Sequence, residues 1–202
     1  MTTSIRRPRG PYAKTSRRRQ EIVDAAVEVF SAGGYHKGSL RDVAGRVGLS
    51  QAGLLHHYPS KDSLLEAVLK WRDDDATAFL GEPVPEGLEL LRGLVRLAEY
   101  NASSPELVEL HVILSAEGTL PDHPLHGYFV GRHRNVIKIA TAAFQRAAAN
   151  GQLKPGVDSE DAARSLLALM DGLQVMWLLD RDGVDMAAHL RRYLQSQLTV
   201  EL

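Results

Sequence analysis

Three histidines close together in the chain, His123, His126 and His133, with Asp122 beside the first, are the types that could hold a metal ion and, through a bound water, hydrolyse a substrate. Their spacing argues against it. His123 and His126 straddle Pro124 in a turn instead of standing one helical turn apart, and no HExxH, GxGxxG or phosphate-cradling GK[ST] sequence occurs. The chain has no cysteine, so disulfides, thiolate nucleophiles and Cys-ligated zinc are excluded. No catalytic residue, metal or cofactor is therefore expected.

Between residues 34 and 69 the pattern points instead to recognition of a polymer. Leu40, Val43, Ala44 and Val47 recur at helical spacing, with Ser39 placed to cap the first free N–H groups. Gly48 ends that short helix, and Ser50 can cap a second one reaching about Tyr58. Pro59 stops the second, and Ser60 can cap the next from Lys61 onward. Two short helices joined by a tight glycine turn form a helix-turn-helix, whose second helix lies in the DNA major groove with its first residues nearest the bases. Leu54 and Tyr58, four apart, should face the core, and Gly53 should let the two helices approach closely.

From about Arg18 to Leu69 the chain resembles the N-terminal domain of the TetR family of bacterial transcriptional regulators. The resemblance is carried by Phe30 and Gly33–Gly34–Tyr35 ending a first helix, Ser39 and Arg41 opening the second, and Val43–Ala44 inside it. It continues through Gly48–Leu49–Ser50, Gly53–Leu54, His57–Tyr58, Lys61 and Leu64–Leu65. It implies that Gln51 and Ala52 meet base edges, where Gln can bridge adenine N6/N7 and a methyl can meet thymine. It also implies that Arg41 reaches a base, guanine being its natural partner, and that Ser39, His57 and Lys61 contact phosphate. Ser50, at the same helix start, belongs with them. Leu55 stands where the family usually has a phosphate-donating Tyr; His56 could replace that donor, or Leu55 could pack on sugar or a thymine methyl.

Elements on either side must position this reader. Residues 1–70 hold twelve Lys/Arg against six Asp/Glu, and residues 71–202 hold twelve against nineteen, so a net charge of −1 hides a basic front and an acidic remainder. Such a front suits a phosphate backbone. Residues 1–15 read as a flexible basic arm that could enter a minor groove. A first helix over residues 16–32, with Ile22, Val23, Ala26, Val27 and Phe30 on one face, should end at Gly33–Gly34 and bury the back of the reader. Arg17, Arg18 and Arg19 near its start could touch phosphate.

The rest reads as helix, in segments 63–80, 85–102, 105–117, 124–149, 159–179 and 184–198, with Gly81–Glu82–Pro83, Gly118, Asn150–Gly151 and Gly183 as breaks. The fold class expected is all-α with about nine helices: an arm at 1–15, a helix-turn-helix domain at 16–62 and a larger helical ligand-binding and dimerisation domain at 63–202. The segment ending at Leu179 is apolar on more than one side, which implies a partner. Leu166, Leu169, Met170, Leu173, Met176 and Trp177, with Leu190 and Leu194 of the last helix, are the expected dimer interface. Large or polar side chains of the middle helices are candidates to line a small-molecule site: Trp71, Phe79, Tyr100, His111 and Glu117, then Tyr128, His133, Met170, Gln174 and Trp177. His111 reads equally as a satisfied core histidine.

An apolar content of 44% with 24% charged residues fits an ordinary globular protein, and no run reads as long enough to span a bilayer, so cytoplasmic residence without membrane contact is expected. The resulting expectation is a homodimeric, ligand-responsive repressor bound to a palindromic DNA operator and released by a small-molecule effector. A DNA-architectural protein or a metal-dependent hydrolase using His123, His126 and His133 are the alternatives.

Overall fold

Local chemistry sets the first boundaries. The computed structural model describes the backbone of residues 11–202 and their side chains apart from 11–14 and 32–34. Among the described residues there are nine helices and no strand beyond an isolated bridge between Leu153 and Leu198. Contacts divide the chain into two compact units, meeting between Val68 and Leu69.

In the first unit, α1 (Pro11–Lys37), α2 (Leu40–Arg46) and α3 (Gln51–His57) precede the start of α4 (Lys61–Leu80). The Ser39 side chain accepts from the Asp42 N–H and Ser50 from that of Gly53, each at 3.1 Å, so both short helices carry the side-chain caps read from the sequence. Gly48 closes α2 in a left-handed conformation, φ 64°. There the Leu49 N–H donates to Ala44 and the Gly48 N–H to Gly45, the pair of bonds that satisfies the last carbonyls of a Schellman end. Ser60 and Ser63 cap α4 reciprocally, side chain to N–H, at 3.0 Å each way. Ile22, Ala26 and Phe30 of α1 are buried, as are Val43, Leu54 and Leu64, each worth roughly 1.5–3 kcal/mol for the larger aliphatics.

Two expectations change here. α1 begins at Pro11, so residues 11–15 are helical and not part of an arm; proline is well suited to the first position of a helix, where its missing N–H leaves nothing unpaired. At its other end α1 runs through Gly33–Gly34 to Lys37. Residues 1–10 of the expected arm lie outside the described residues.

The second unit takes the rest of α4 with α5 (Gly87–Ala102), α6 (Pro105–Glu117), α7 (His126–Ala149), α8 (Ser159–Leu179) and α9 (Met186–Gln197). Asp158 caps α8 by accepting from the Glu160 and Asp161 N–H groups at 2.9 Å, and Asp185 caps α9 from Ala188 at 2.9 Å, starting α9 two residues later than the pattern suggests. α8 packs on α6, α7 and α9, and α5 on α7 and α9. By length and composition alone α8 would qualify to cross a bilayer, contrary to the reading of the sequence, yet Ala163, Leu166, Leu173 and Trp177 are buried in the core of this unit.

Apolar surface around α8 is therefore divided between two uses. Leu166, Leu173 and Trp177, with Leu190 and Leu194 of α9, are buried within the protomer, which removes them from the expected dimer face. Leu169 and Met170 are half-buried. What remains outside is Met176 with Val175 and Leu179, the last 83% exposed. Helical periodicity shows that α8 has two apolar sides but not which one meets α7 and α9.

Candidate nucleic-acid interface and effector cavity

α3 opens after the capping residue Ser50, and the two residues that follow, Gln51 and Ala52, are exposed. Arg41 stands exposed in the first turn of α2, and among the described residues neither its guanidinium nor the Gln51 amide has a partner. Both are thus available to another molecule. Behind them Leu54 and Tyr58 are buried, fixing the roll of α3. Gly53 does not hold the helices close as expected: a Cβ there would meet the Ser50 Oγ at 3.4 Å and the Leu49 Cδ2 at 3.6 Å, ordinary contact within the turn.

The flanking cations are more committed. Arg17 and Arg18 both pair with Glu21, at 3.1 and 2.8 Å, and hold its carboxyl below the usual range. Arg19 donates to the His57 carbonyl at 3.0 Å and lies over the Tyr58 ring, pinning the end of α3 to α1. Arg46 pairs with Glu28, tying α2 to α1. The Lys61 ammonium sits 4.6 Å from the Tyr35 ring centre, and the Tyr35 hydroxyl donates to Asp62 at 2.7 Å, which pushes it up to about 12. His56 is exposed, Ser39, Leu55 and His57 are half-buried, and burial with the neighbouring His56 and Arg19 charges lowers the His57 pKa. The basic exposed edge of this unit can meet phosphate, and its unpartnered tip can meet base edges.

Within the second unit α4, α5, α7 and α8 enclose a cavity of about 480 Å³. Leu80, Val84, Leu90, Leu94, Ile139 and Met170 form most of its wall, and Asp73, Thr77, Tyr128, Arg132 and Asn135 its polar part. Gly127 and Gly131, four apart on α7, also line it, and a Cβ on either would meet nothing within 4 Å. Asp73 is the hub of the polar part. Its Oδ1 accepts from the Arg132 Nε at 3.0 Å, its Oδ2 from the Tyr128 hydroxyl at 2.5 Å, and the buried Arg72 lies 3.9 Å away. Burial, then repulsion from Arg132, lowers Arg72 to about 10, so it stays charged; burial and the bond to Asp73 raise Tyr128.

Of the residues expected around a ligand, only Tyr128 and Met170 line this cavity. Phe79 and Tyr100 stack on each other at 4.4 Å, and Tyr100 donates to Asp75. Trp177 packs in the core under Arg181, Gln174 is buried against Met170, and Trp71 and Glu117 are half-buried away from the cavity wall. His111 is buried beside Phe129 with its Nε2 3.8 Å from Asp171, an ion-pair distance too long for a hydrogen bond; burial pushes it down to about 3, so it is neutral. His133 bonds Phe129 O at 2.8 Å and lies 3.3 Å from Asp171, sharing that carboxylate with His111. His123 meets the Leu125 N–H and His126 the Gly118 carbonyl; among the described residues no three such groups gather as metal ligands. Asp73, Arg132 and Asn135 were not anticipated, because charged and amide residues read as solvated surface. The recurrence of Gly127–Tyr128 as Gly131–Arg132, one turn on, was the available signal.

The sequence of this capped reader matches known proteins at both ends of the chain. Residues 22–68 match the description "Bacterial regulatory proteins, tetR family", and residues 122–199 match "BetI-type transcriptional repressor, C-terminal". The chain belongs to the TetR family of bacterial transcriptional regulators. It is 26% identical over 173 residues, 84% of each chain, to the HTH-type transcriptional regulator UidR of Escherichia coli. Its fold superimposes on Salmonella enterica GusR with a TM-score of 0.73 at 28% identity, covering 91% of this chain and 96% of that one. It also superimposes on SmeT, solved as a triclosan complex, with a TM-score of 0.76 at 19% identity, covering 91% and 92%, a likeness of fold alone. TetR regulators bind DNA, and residues 22–68, which carry α2 and α3, are the part of this chain that matches the tetR regulatory-protein model.

Proposed function

We propose that this TetR regulator is a cytoplasmic homodimeric repressor, without enzymatic activity, which holds a palindromic operator and lets go when a small molecule fills the cavity of its second unit. The carrying observation is in the first unit: Gln51 and Ala52 are exposed after the Ser50 cap, and Arg41, in the first turn of α2, is exposed and without a partner among the described residues. In this reading those three meet bases. Ser39, Ser50, Leu55, His56, His57 and Lys61 meet the backbone around them, and Arg17 and Arg18 add positive potential while paired to Glu21. Two-fold operators call for two-fold proteins with half-site centres about 34 Å apart or a multiple of it. The exposed Val175, Met176 and Leu179 on α8 supply an apolar face for a second copy.

Release is a population shift. α4 runs unbroken from its Ser60 cap, just after the reader, to Asp73 and Thr77 on the cavity wall. A ligand that prefers a dimer geometry unable to span both half-sites weakens operator binding about tenfold for each 1.4 kcal/mol of that preference. In vitro transcription from a promoter carrying a selected operator tests the sign of regulation. Transcription should fall when the protein is added and stay high when Gln51→Ala, Arg41→Ala protein replaces it. Unchanged or increased transcription with the wild-type chain would reject a repressor.

A further inference from the structure

We infer that the cavity takes an organic anion, a carboxylate carried on a mainly apolar body, in preference to a neutral or cationic head on the same skeleton. This rests on the reading of the cavity as the effector site. At its polar end two guanidiniums, Arg132 on the wall and the buried Arg72, stand against one wall carboxylate, Asp73. The bond from Arg132 Nε to Asp73 Oδ1, at 3.0 Å, uses only one edge of that guanidinium, and its Nη1 is buried with no hydrogen-bond partner among the described residues. Arg72 is 3.9 Å from the same carboxylate, too far for a hydrogen bond. Asp171, the next carboxylate, does not line the cavity and lies 3.3 Å from His133 and 3.8 Å from His111. The polar end therefore holds more positive charge than its wall carboxylate offsets.

A buried cationic N–H without an acceptor is costly. A ligand oxygen placed there removes that cost, and an ionised one does so with a charge-assisted bond roughly twice as strong as a neutral one. Asp73 need not move, because it occupies the Nε edge and Nη1 is a separate donor. Asn135, three residues on along α7 and also on the wall, has no partner for its amide among the described residues, so its NH2 can take the second carboxylate oxygen. Both guanidiniums are already largely out of water, so the ligand's own desolvation is the main opposing cost. A cationic head meets the opposite field: it would have to take Asp73 from Arg132 and then sit near Arg72. Leu80, Val84, Leu90, Leu94 and Ile139 cover the body, in a volume of about 480 Å³ that suits a molecule of drug size.

The probe is the neutral dye N-phenyl-1-naphthylamine, bound to the full chain and displaced by decanoate, 1-decanol or decyltrimethylammonium below their micelle concentrations, at about pH 8, where a carboxylate is ionised. Burial of apolar surface alone would put decanol ahead of decanoate. Decanoate should instead lead both others by at least about tenfold. A smaller lead, or a win for either other head, overturns the inference. Arg132→Gln should cost decanoate at least about tenfold while decanol changes by less than about threefold, and Asn135→Ala, at an exposed position, should cost decanoate alone about threefold. Equal losses for decanoate and decanol would mean that these side chains only shape the wall, and would overturn it too. If Arg132→Gln does not fold, the wild-type ranking and Asn135→Ala decide. Gly131→Trp, which puts an indole into open space on the cavity wall, separates the two readings. If the dye fails to bind, or binds that variant as well as wild type, the cavity is rejected as the effector site and the inference with it; if Gly131→Trp excludes the dye but decanoate does not lead in wild type, only the preference for an anion falls.

Discussion

Arg132 on α7 and Asp73 on α4 meet at 3.0 Å on the wall of the cavity, with the buried guanidinium of Arg72 3.9 Å from the same carboxylate. One carboxylate thus screens two cations from each other, offsetting one of their two positive charges. Asp73→Asn should lower unfolding stability by about 1–3 kcal/mol, less than a fully buried pair because Asp73 is partly exposed. Urea denaturation should show the loss shrink in an Asp73→Asn, Arg132→Gln double variant, where one orphaned cation is removed; simple additivity would mean the pair carries no coupling.

His111 ties stability to pH. Its folded pKa, about 3, lies below the ordinary 6.5 because burial disfavours the charged form. The unfolded chain therefore binds a proton that the folded chain refuses, so stability is complete above pH 6.5 and falls as pH drops toward 3. Between pH 7 and pH 5 the wild type should lose about 2 kcal/mol more than a His111→Leu variant. Parallel pH profiles of the two proteins would show that His111 is not buried neutral.

Gly53 can be replaced without loss of fold. Its Cβ would make only ordinary contacts and alanine favours a helix interior, so Gly53→Ala should raise stability by about 0.5–1 kcal/mol in chemical denaturation. A loss of several kcal/mol would restore the role in helix approach that the sequence suggests.

The exposed apolar face of α8 gives a further expectation. Met176→Glu with Leu179→Glu should convert a dimer to monomers in sedimentation velocity and weaken operator binding by about a hundredfold, since charges would have to be buried unpaired. A variant that sediments as wild type would place the dimer contact elsewhere.

How much of this was readable from sequence depended on distance along the chain. Ser39, Gly48, Ser50 and Ser60 act on residues within five positions, so their caps and turns follow from local chemistry, as does the inward side of α3 at Leu54 and Tyr58. The cavity depends on α4 meeting α7 fifty-nine residues later, at Asp73 and Arg132, and no periodicity carries that register. Asp73 also sits in a run with Asp74 and Asp75, of which Asp74 pairs with Lys70 on the surface and Asp75 takes the Tyr100 hydroxyl. Three identical side chains thus have three fates decided by helix phase. Aromatic residues misled for a related reason: Phe79 and Tyr100 satisfy each other, and Trp177 fills the core.

The measurement closest to the centre of this account is selection of bound duplexes from a random library at stated salt, run in parallel with wild-type and Gln51→Ala, Arg41→Ala protein. Wild type should enrich a palindrome bound at least about a thousandfold better than non-specific DNA, and the variant should lose that preference while keeping the weak, salt-dependent binding of a basic surface. A variant that selects the same palindrome with the same affinity, or a wild type that binds all duplexes alike, would contradict it.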